Sequence, residues 1–130
     1  MKREILILML WLPIPGLADS VEQRLQAYQA EGAKDFSAQN GAQVWSRKVD
    51  DPQSGNRRSC QDCHGENLTQ PGKHVKTGRS IEPMAPSVNP QRLTDARKIE
   101  KWFKRNCEWT WGRACTIQEK GDILRFLQQQ

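Results

Sequence analysis

Cys60-Gln61-Asp62-Cys63-His64 constrains this chain more than any other stretch of it. Two thiols three residues apart, followed at once by an imidazole, form the Cys-x-x-Cys-His run by which c-type haem is attached. The thiols can add to the two vinyl groups on one porphyrin edge, and the adjacent histidine is then carried under the iron as proximal ligand. Three ordinary readings compete. A thioredoxin-like redox pair needs a βαβ setting, and no run alternates apolar and polar residues as a half-buried strand does. A zinc site wants a second close cysteine pair, whereas Cys107 and Cys115 stand eight apart. A plain Cys60–Cys63 disulfide leaves His64 unexplained. The motif therefore predicts one covalent haem c per chain, attached through Cys60 and Cys63 and ligated by His64.

The first residues carry the features of an export signal. Lys2 and Arg3 precede an apolar run from Ile5 to Leu12, Pro13 and Pro15 break it, and Gly16-Leu17-Ala18 supplies small residues for a peptidase. The expectation is a signal peptide over residues 1–18, cleaved after Ala18, and a mature domain over residues 19–130 in the periplasm. An uncleaved anchor is the alternative, but the run is shorter than the about 20 residues that cross a bilayer. Loss of Lys2, Arg3 and Glu4 lowers the net charge from +5 to +4. With 36% hydrophobic residues, so small a domain has a marginal core of its own. Haem and a cysteine pair in an oxidising compartment would both reinforce it.

The periodicity predicts an all-α, small monohaem cytochrome c fold, with about four helices and a long loop around the haem. Ser20 and Gln23 have capping-box spacing ahead of Val21, Leu25 and Tyr28, which share one face until Gly32. A second helix is predicted from about Ser37 to Arg47, with Gly41, Val44 and Trp45. Thr94 or Asp95 can cap a third that ends at Asn106, with Ala96, Ile99, Trp102 and Phe103 along one side. Thr116 and Glu119 form another capping box, opening a last helix with Ile123, Leu124 and Leu127 inward. Gly41 and Gly121 either allow the second and last helices to cross closely or simply weaken them. The stretch from Gly65 to Arg92, punctuated by Pro71, Pro83, Pro86 and Pro90, is too long for an ordinary connection. It makes sense wrapped around a large apolar cofactor.

The sixth iron ligand separates an electron carrier from a gas-binding protein. Met84 could supply a thioether, which favours ferrous iron; its ordinary role would be packing on the haem. His74 could give bis-histidine ligation, or be a solvated loop residue. Asn106 lies just before the last helix, where monohaem cytochromes usually present a distal methionine, or it caps its helix. Residue types alone favour Met84.

The chain is similar to the sphaeroides haem protein (SHP) family of cytochromes c. The similarity runs from Ser59-Cys60-Gln61-Asp62-Cys63-His64-Gly65 through Thr77-Gly78-Arg79-Ser80-Ile81-Glu82-Pro83-Met84-Ala85-Pro86-Ser87. It continues in Arg92-Leu93-Thr94-Asp95, Glu100-Lys101-Trp102, Arg105-Asn106-Cys107, Gly112-Arg113-Ala114-Cys115-Thr116 and the final helix. The resemblance implies that Asn106 is the distal ligand to oxidised iron and that Cys107 and Cys115 form a disulfide. It implies electron transfer together with binding of oxygen or nitric oxide, and a dihaem cytochrome c and membrane cytochrome b as redox partners. A plain His/Met electron carrier using Met84 and a haem enzyme acting on a small oxygen or nitrogen species are the alternatives. Closing the loop between Cys107 and Cys115 should contribute on the order of 2–3 kcal/mol. Trp109 and Trp111 fall inside it, covering the distal pocket or packing as apolar surface.

Arg97, Lys98, Lys101, Lys104 and Arg105 form the other side of the third helix, either a steering patch for an acidic redox partner or a solvated face. Lys73, Lys76 and Arg79 could pair with haem propionates. Nucleic acid is not expected as a partner at so modest a net charge, and a monomer is expected.

Overall fold

The structure, a computed structural model, describes residues 19–130. The expected signal peptide lies outside the described residues. Among the described residues five helices carry the fold: α1 (Ser20–Ala30), α2 (Ala38–Ser46), the single turn α3 (Gln61–His64), α4 (Ala96–Trp111) and α5 (Ile117–Gln128). Two antiparallel ladders interrupt the loops. β1 (Val49–Asp50) pairs with β2 (Arg57–Arg58), with Val49 opposite Arg58, and β3 (Gly72–Lys73) pairs with β4 (Ser80–Ile81), with Gly72 opposite Ile81. Ladders of two residues leave no alternating pattern in a sequence, which is why none was legible there.

Side-chain caps fix where the helices begin. The α1 cap is Asp19, one residue ahead of the expected Ser20; its carboxylate accepts the Glu22 amide while the Ser20 hydroxyl donates to the Thr94 carbonyl. Ser37 caps α2, and Asp95 rather than Thr94 caps α4 by accepting the Arg97 and Lys98 amides. Thr116 and Glu119 complete the predicted capping box of α5 in both directions.

Helix α4 departs most from expectation. It does not stop at Asn106 but runs on to Trp111 and ends at Gly112 in the left-handed conformation, φ 67°. An asparagine inside a helix costs well under about 1 kcal/mol. Burial of Cys107, Thr110 and Trp111 along the added turn outweighs that. Trp109 and Trp111 therefore belong to a helix, not to a loop. Trp102, expected on the apolar side, is 47% exposed.

Helix α5 is the shared wall of two apolar clusters. On one side Leu124 meets Val21, Leu25, Tyr28 and Ile99, joining α1, α4 and α5. On the other, Ile123 and Leu127 meet Val44, Trp45, Leu68, Ala85, Cys107, Trp111 and Cys115. Each fully buried large side chain contributes about 1.5–3 kcal/mol. Where α2 crosses α5, Gly41 has no room for a side chain: a Cβ there would lie 2.0 Å from the Asp122 carbonyl oxygen and 2.7 Å from Phe126 Cβ. Gly121 is also confined, but by the Phe36 ring at the entrance to α2.

Two polar networks fasten the helices. The Glu100 carboxylate accepts from Tyr28 Oη, from Arg24 Nε at 3.0 Å and from Lys120 Nζ at 3.0 Å, joining α1, α4 and α5. Burial, with Glu100 beside it, pushes the Tyr28 hydroxyl above its ordinary range. At the start of α5, Glu119 takes a two-pronged bond from Arg113 at 2.9 Å, the Thr116 amide at 2.9 Å and an ion pair from Arg47. Burial opposes its ionisation, yet these donors win and hold it at about 2.

Two outcomes are expected. Gly41→Ala gains helix propensity but forces backbone apart, so guanidinium unfolding of the holoprotein should show a net loss of about 2 kcal/mol or more. The Glu119 carboxylate titrates lower when folded than its ordinary 4.5, so its stabilisation is complete above that pH and lost as pH falls towards 2. Glu119→Gln should therefore be less stable at pH 7, on the order of 2 kcal/mol, and lose less than wild type between those two pH values in acid-unfolding curves followed by circular dichroism.

Candidate haem site

The attachment motif folds as one helical turn with its own supports. Ser59 and Asp62 cap each other: the Ser59 amide donates to Asp62 Oδ2 at 2.8 Å, and the Asp62 amide donates to Ser59 Oγ at 3.3 Å. Lys48 closes an ion pair on Asp62 at 3.2 Å. The His64 amide donates to the Cys60 carbonyl at 3.2 Å, so the two cysteines are displayed about one turn apart with the imidazole beside the second. Behind the turn, Gly72 of β3 lies so close that a Cβ would sit 2.3 Å from the Cys63 carbonyl oxygen. The long loop thus folds back onto the motif it follows.

Cys60 and Cys63 are both free thiols, so no disulfide joins them. Burial pushes the Cys60 thiol up to about 12. Burial likewise pushes His64 down to about 4, helped by the Arg92 charge, which keeps the imidazole neutral and its lone pair available to a metal. Among the described residues His64 Nδ1 is buried without a hydrogen-bond partner. Free thiols at this spacing and a neutral imidazole next to them fit a covalently attached haem. The Trp45 ring leans on His64, with centroids 5.2 Å apart, and on Phe126 of α5 at 6.1 Å.

Arg92, which sequence reasoning passed over, is the clamp of this side. Its Nε donates to the Pro83 carbonyl at 2.9 Å and its Nη2 to the Glu82 carbonyl at 2.8 Å, while Asn89 Nδ2 also donates to Pro83 at 3.1 Å. The Ala85 amide donates to the Leu68 carbonyl at 2.9 Å, and Ala85 is fully buried. Met84, between these anchors, is half-buried against the larger cluster. The segment 82–85 is thus tied to Leu68, four residues past His64, by the Ala85 amide, and to Arg92, whose charge bears on His64, through the Glu82 and Pro83 carbonyls. No feature of spacing marked Arg92 for this role.

The other two ligand candidates lie elsewhere. His74 Nδ1 accepts the Lys76 and Thr77 amides at 3.3 and 3.2 Å, and its ring packs on Trp109 with centroids 4.7 Å apart. Arg58 lies over the same indole at 4.1 Å and donates to the Trp109 carbonyl at 3.3 Å. Trp109 therefore joins β2, the β3–β4 hairpin and the end of α4. Asn106 is one turn earlier on that helix, exposed, and among the described residues no hydrogen bond engages its side-chain amide. Cys107 follows it, disulfide-bonded to Cys115 with the Cα atoms 5.6 Å apart. That bond pins the end of α4 to the residue before the α5 cap. Lys73, Lys76 and Arg79 are all exposed on or beside the hairpin.

Comparison with known proteins agrees with this geometry. A family described as a domain of unknown function (DUF1924) matches residues 31–127. The cytochrome c-type protein SHP of Cereibacter sphaeroides is 38% identical over 132 residues, covering 96% of this chain and 97% of that one. The structure of oxidised SHP, an oxygen-binding cytochrome c, superposes with a TM-score of 0.75 at 36% identity, over 86% of this chain and 98% of that one. The solution structure of Methylophilus methylotrophus cytochrome c'', a protein studied for haem-ligand detachment, gives a TM-score of 0.74 at 30% identity, over 85% and 93% of the two chains. By sequence along nearly its whole length and by fold, the chain belongs to the SHP family of c-type cytochromes.

Proposed function

We propose that this chain is an exported monohaem cytochrome that transfers electrons and binds oxygen or nitric oxide when reduced. Residues 1–18 serve as a signal peptide cleaved after Ala18, and residues 19–130 form the periplasmic domain. Cys60 and Cys63 would hold one haem c, His64 would be its proximal ligand, and Asn106 would be a redox-labile distal ligand. When bound, the haem would supply a one-electron centre able to take a diatomic ligand in its reduced form.

One observation carries this reading: the Asn106 amide is free of hydrogen bonds among the described residues, on a helix fixed by the neighbouring disulfide. An amide oxygen is a hard, neutral, weak donor, suited to ferric iron and poorly to ferrous. Asn106 would therefore act as a plug whose hold depends on oxidation state, and the disulfide beside it restrains the backbone so that a weak bond would suffice. Met84 is poorly suited to the same post, because Arg92, Asn89 and Leu68 hold its segment on the flank of His64. His74 has Nδ1 committed to two backbone amides. The oxygen binding of SHP and the ligand detachment of cytochrome c'' support the reading. A dihaem cytochrome c served by a membrane cytochrome b fits as electron source, with this chain acting as a monomer.

Asn106→Ala should alter the ferric absorption spectrum strongly, while Met84→Leu should leave it as in wild type. Dithionite-reduced wild type should bind carbon monoxide. A ferrous form that stays low-spin and ignores carbon monoxide, or a ferric spectrum that responds to Met84→Leu alone, would overturn the assignment.

A further inference from the structure

Exposed on α4, Trp102 interrupts an otherwise charged surface, and its surroundings give it a purpose. The indole is 47% exposed, and the Arg105 guanidinium lies 5.5 Å from its ring centroid. Arg97, Lys98, Lys101, Lys104 and Arg105 are all exposed along the same side of the helix. Glu100, between them in sequence, is engaged by Tyr28, Arg24 and Lys120, which leaves the exposed Glu108 as the acid on this side of α4 and the stripe net positive by four. An open aromatic ring with an arginine on it, flanked by Lys98 and Lys101 at the edge of a net positive stripe, has the composition of an interface centre: an aromatic and an arginine for contact, and a charge excess for steering.

Helical geometry links this surface to the haem site. Residues four apart share a face, so Trp102 stands one turn from Asn106, between it and the cationic stripe. A protein docked on Lys98, Lys101 and Arg105 would rest on Trp102 and stand next to the proposed distal ligand. The geometry points to this face of α4 as the electron-entry surface, docking an acidic one-electron redox protein with Trp102 at its centre. The inference rests on the haem assignment above but not on which residue is the sixth ligand.

Photoreduced flavodoxin, an acidic flavoprotein, is a suitable probe, mixed with the ferric holoprotein at several ionic strengths. Neutral lumiflavin semiquinone serves as the second reductant. Lys98→Glu/Lys101→Glu should slow reduction by flavodoxin about tenfold or more at low salt, flatten its salt dependence and leave the lumiflavin rate unchanged. Trp102→Ser should slow the flavodoxin reaction at all salt concentrations without flattening it. Gln29→Glu/Lys34→Glu/Gln39→Glu changes the net charge equally at exposed sites off α4 and should cost much less. Equal slowing by that control, or a wild-type salt dependence in the stripe variant, would overturn the docking surface. If lumiflavin fails to reduce wild type and variants alike, the haem assignment falls and takes the surface with it.

Discussion

The crossing of α2 over α5 at Gly41 sets the position of everything behind His64. Because Gly41 lets one backbone rest against the other, the next turn of α2 presents Trp45 between Phe126 and the imidazole. A wider crossing would move Trp45 away and leave His64 unsupported on a turn of only four residues. The long loop then seals the same side, with Gly72 against Cys63 and Arg92 gathering the carbonyls of Glu82 and Pro83. Precision at a short motif is thus borrowed from the two helices and the loop around it.

The region of Asn106 is organised differently. There, a single long helix carries Trp102, Asn106 and Trp109 at successive turns, and a disulfide plus the Glu119 network fasten its end to α5. One side is assembled from many weak contacts across loops, the other from one rigid rod fixed at its end. A haem held by His64 and Asn106, as proposed above, would meet an enclosing bed on His64's side and a fixed row of side chains on the other.

Much of this could be read from the sequence because local chemistry dictates it. The attachment motif, the Thr116–Glu119 box and the buried faces of α1 and α5 depend on residue type and spacing, and the structure has each of them, whereas the sequence left open whether Gly41 marks a close crossing or only a weak point. What could not be read depends on tertiary burial. The end of α4 was misplaced because asparagine is a weak stop signal, overridden by apolar residues beyond it. Arg92 was missed because its partners are carbonyls, and any residue carries a carbonyl. The exposure of Trp102 was missed because periodicity places a residue on a face without saying what covers that face. The Cys107–Cys115 bond came from family resemblance, since spacing alone left the pair ambiguous.

The continuation of α4 past Asn106 constrains how a group at that position can move. A side chain at a frayed helix end could travel with its backbone, whereas five further helical residues and a neighbouring disulfide hold this main chain still. Displacement is then confined to rotation about the two side-chain torsions, a swing of a few ångströms at most and of the picosecond-to-nanosecond kind. With Asn106 as the distal ligand proposed above, opening and closing would behave as a rotamer flip, quick and repeatable, with no segment to refold between one cycle and the next.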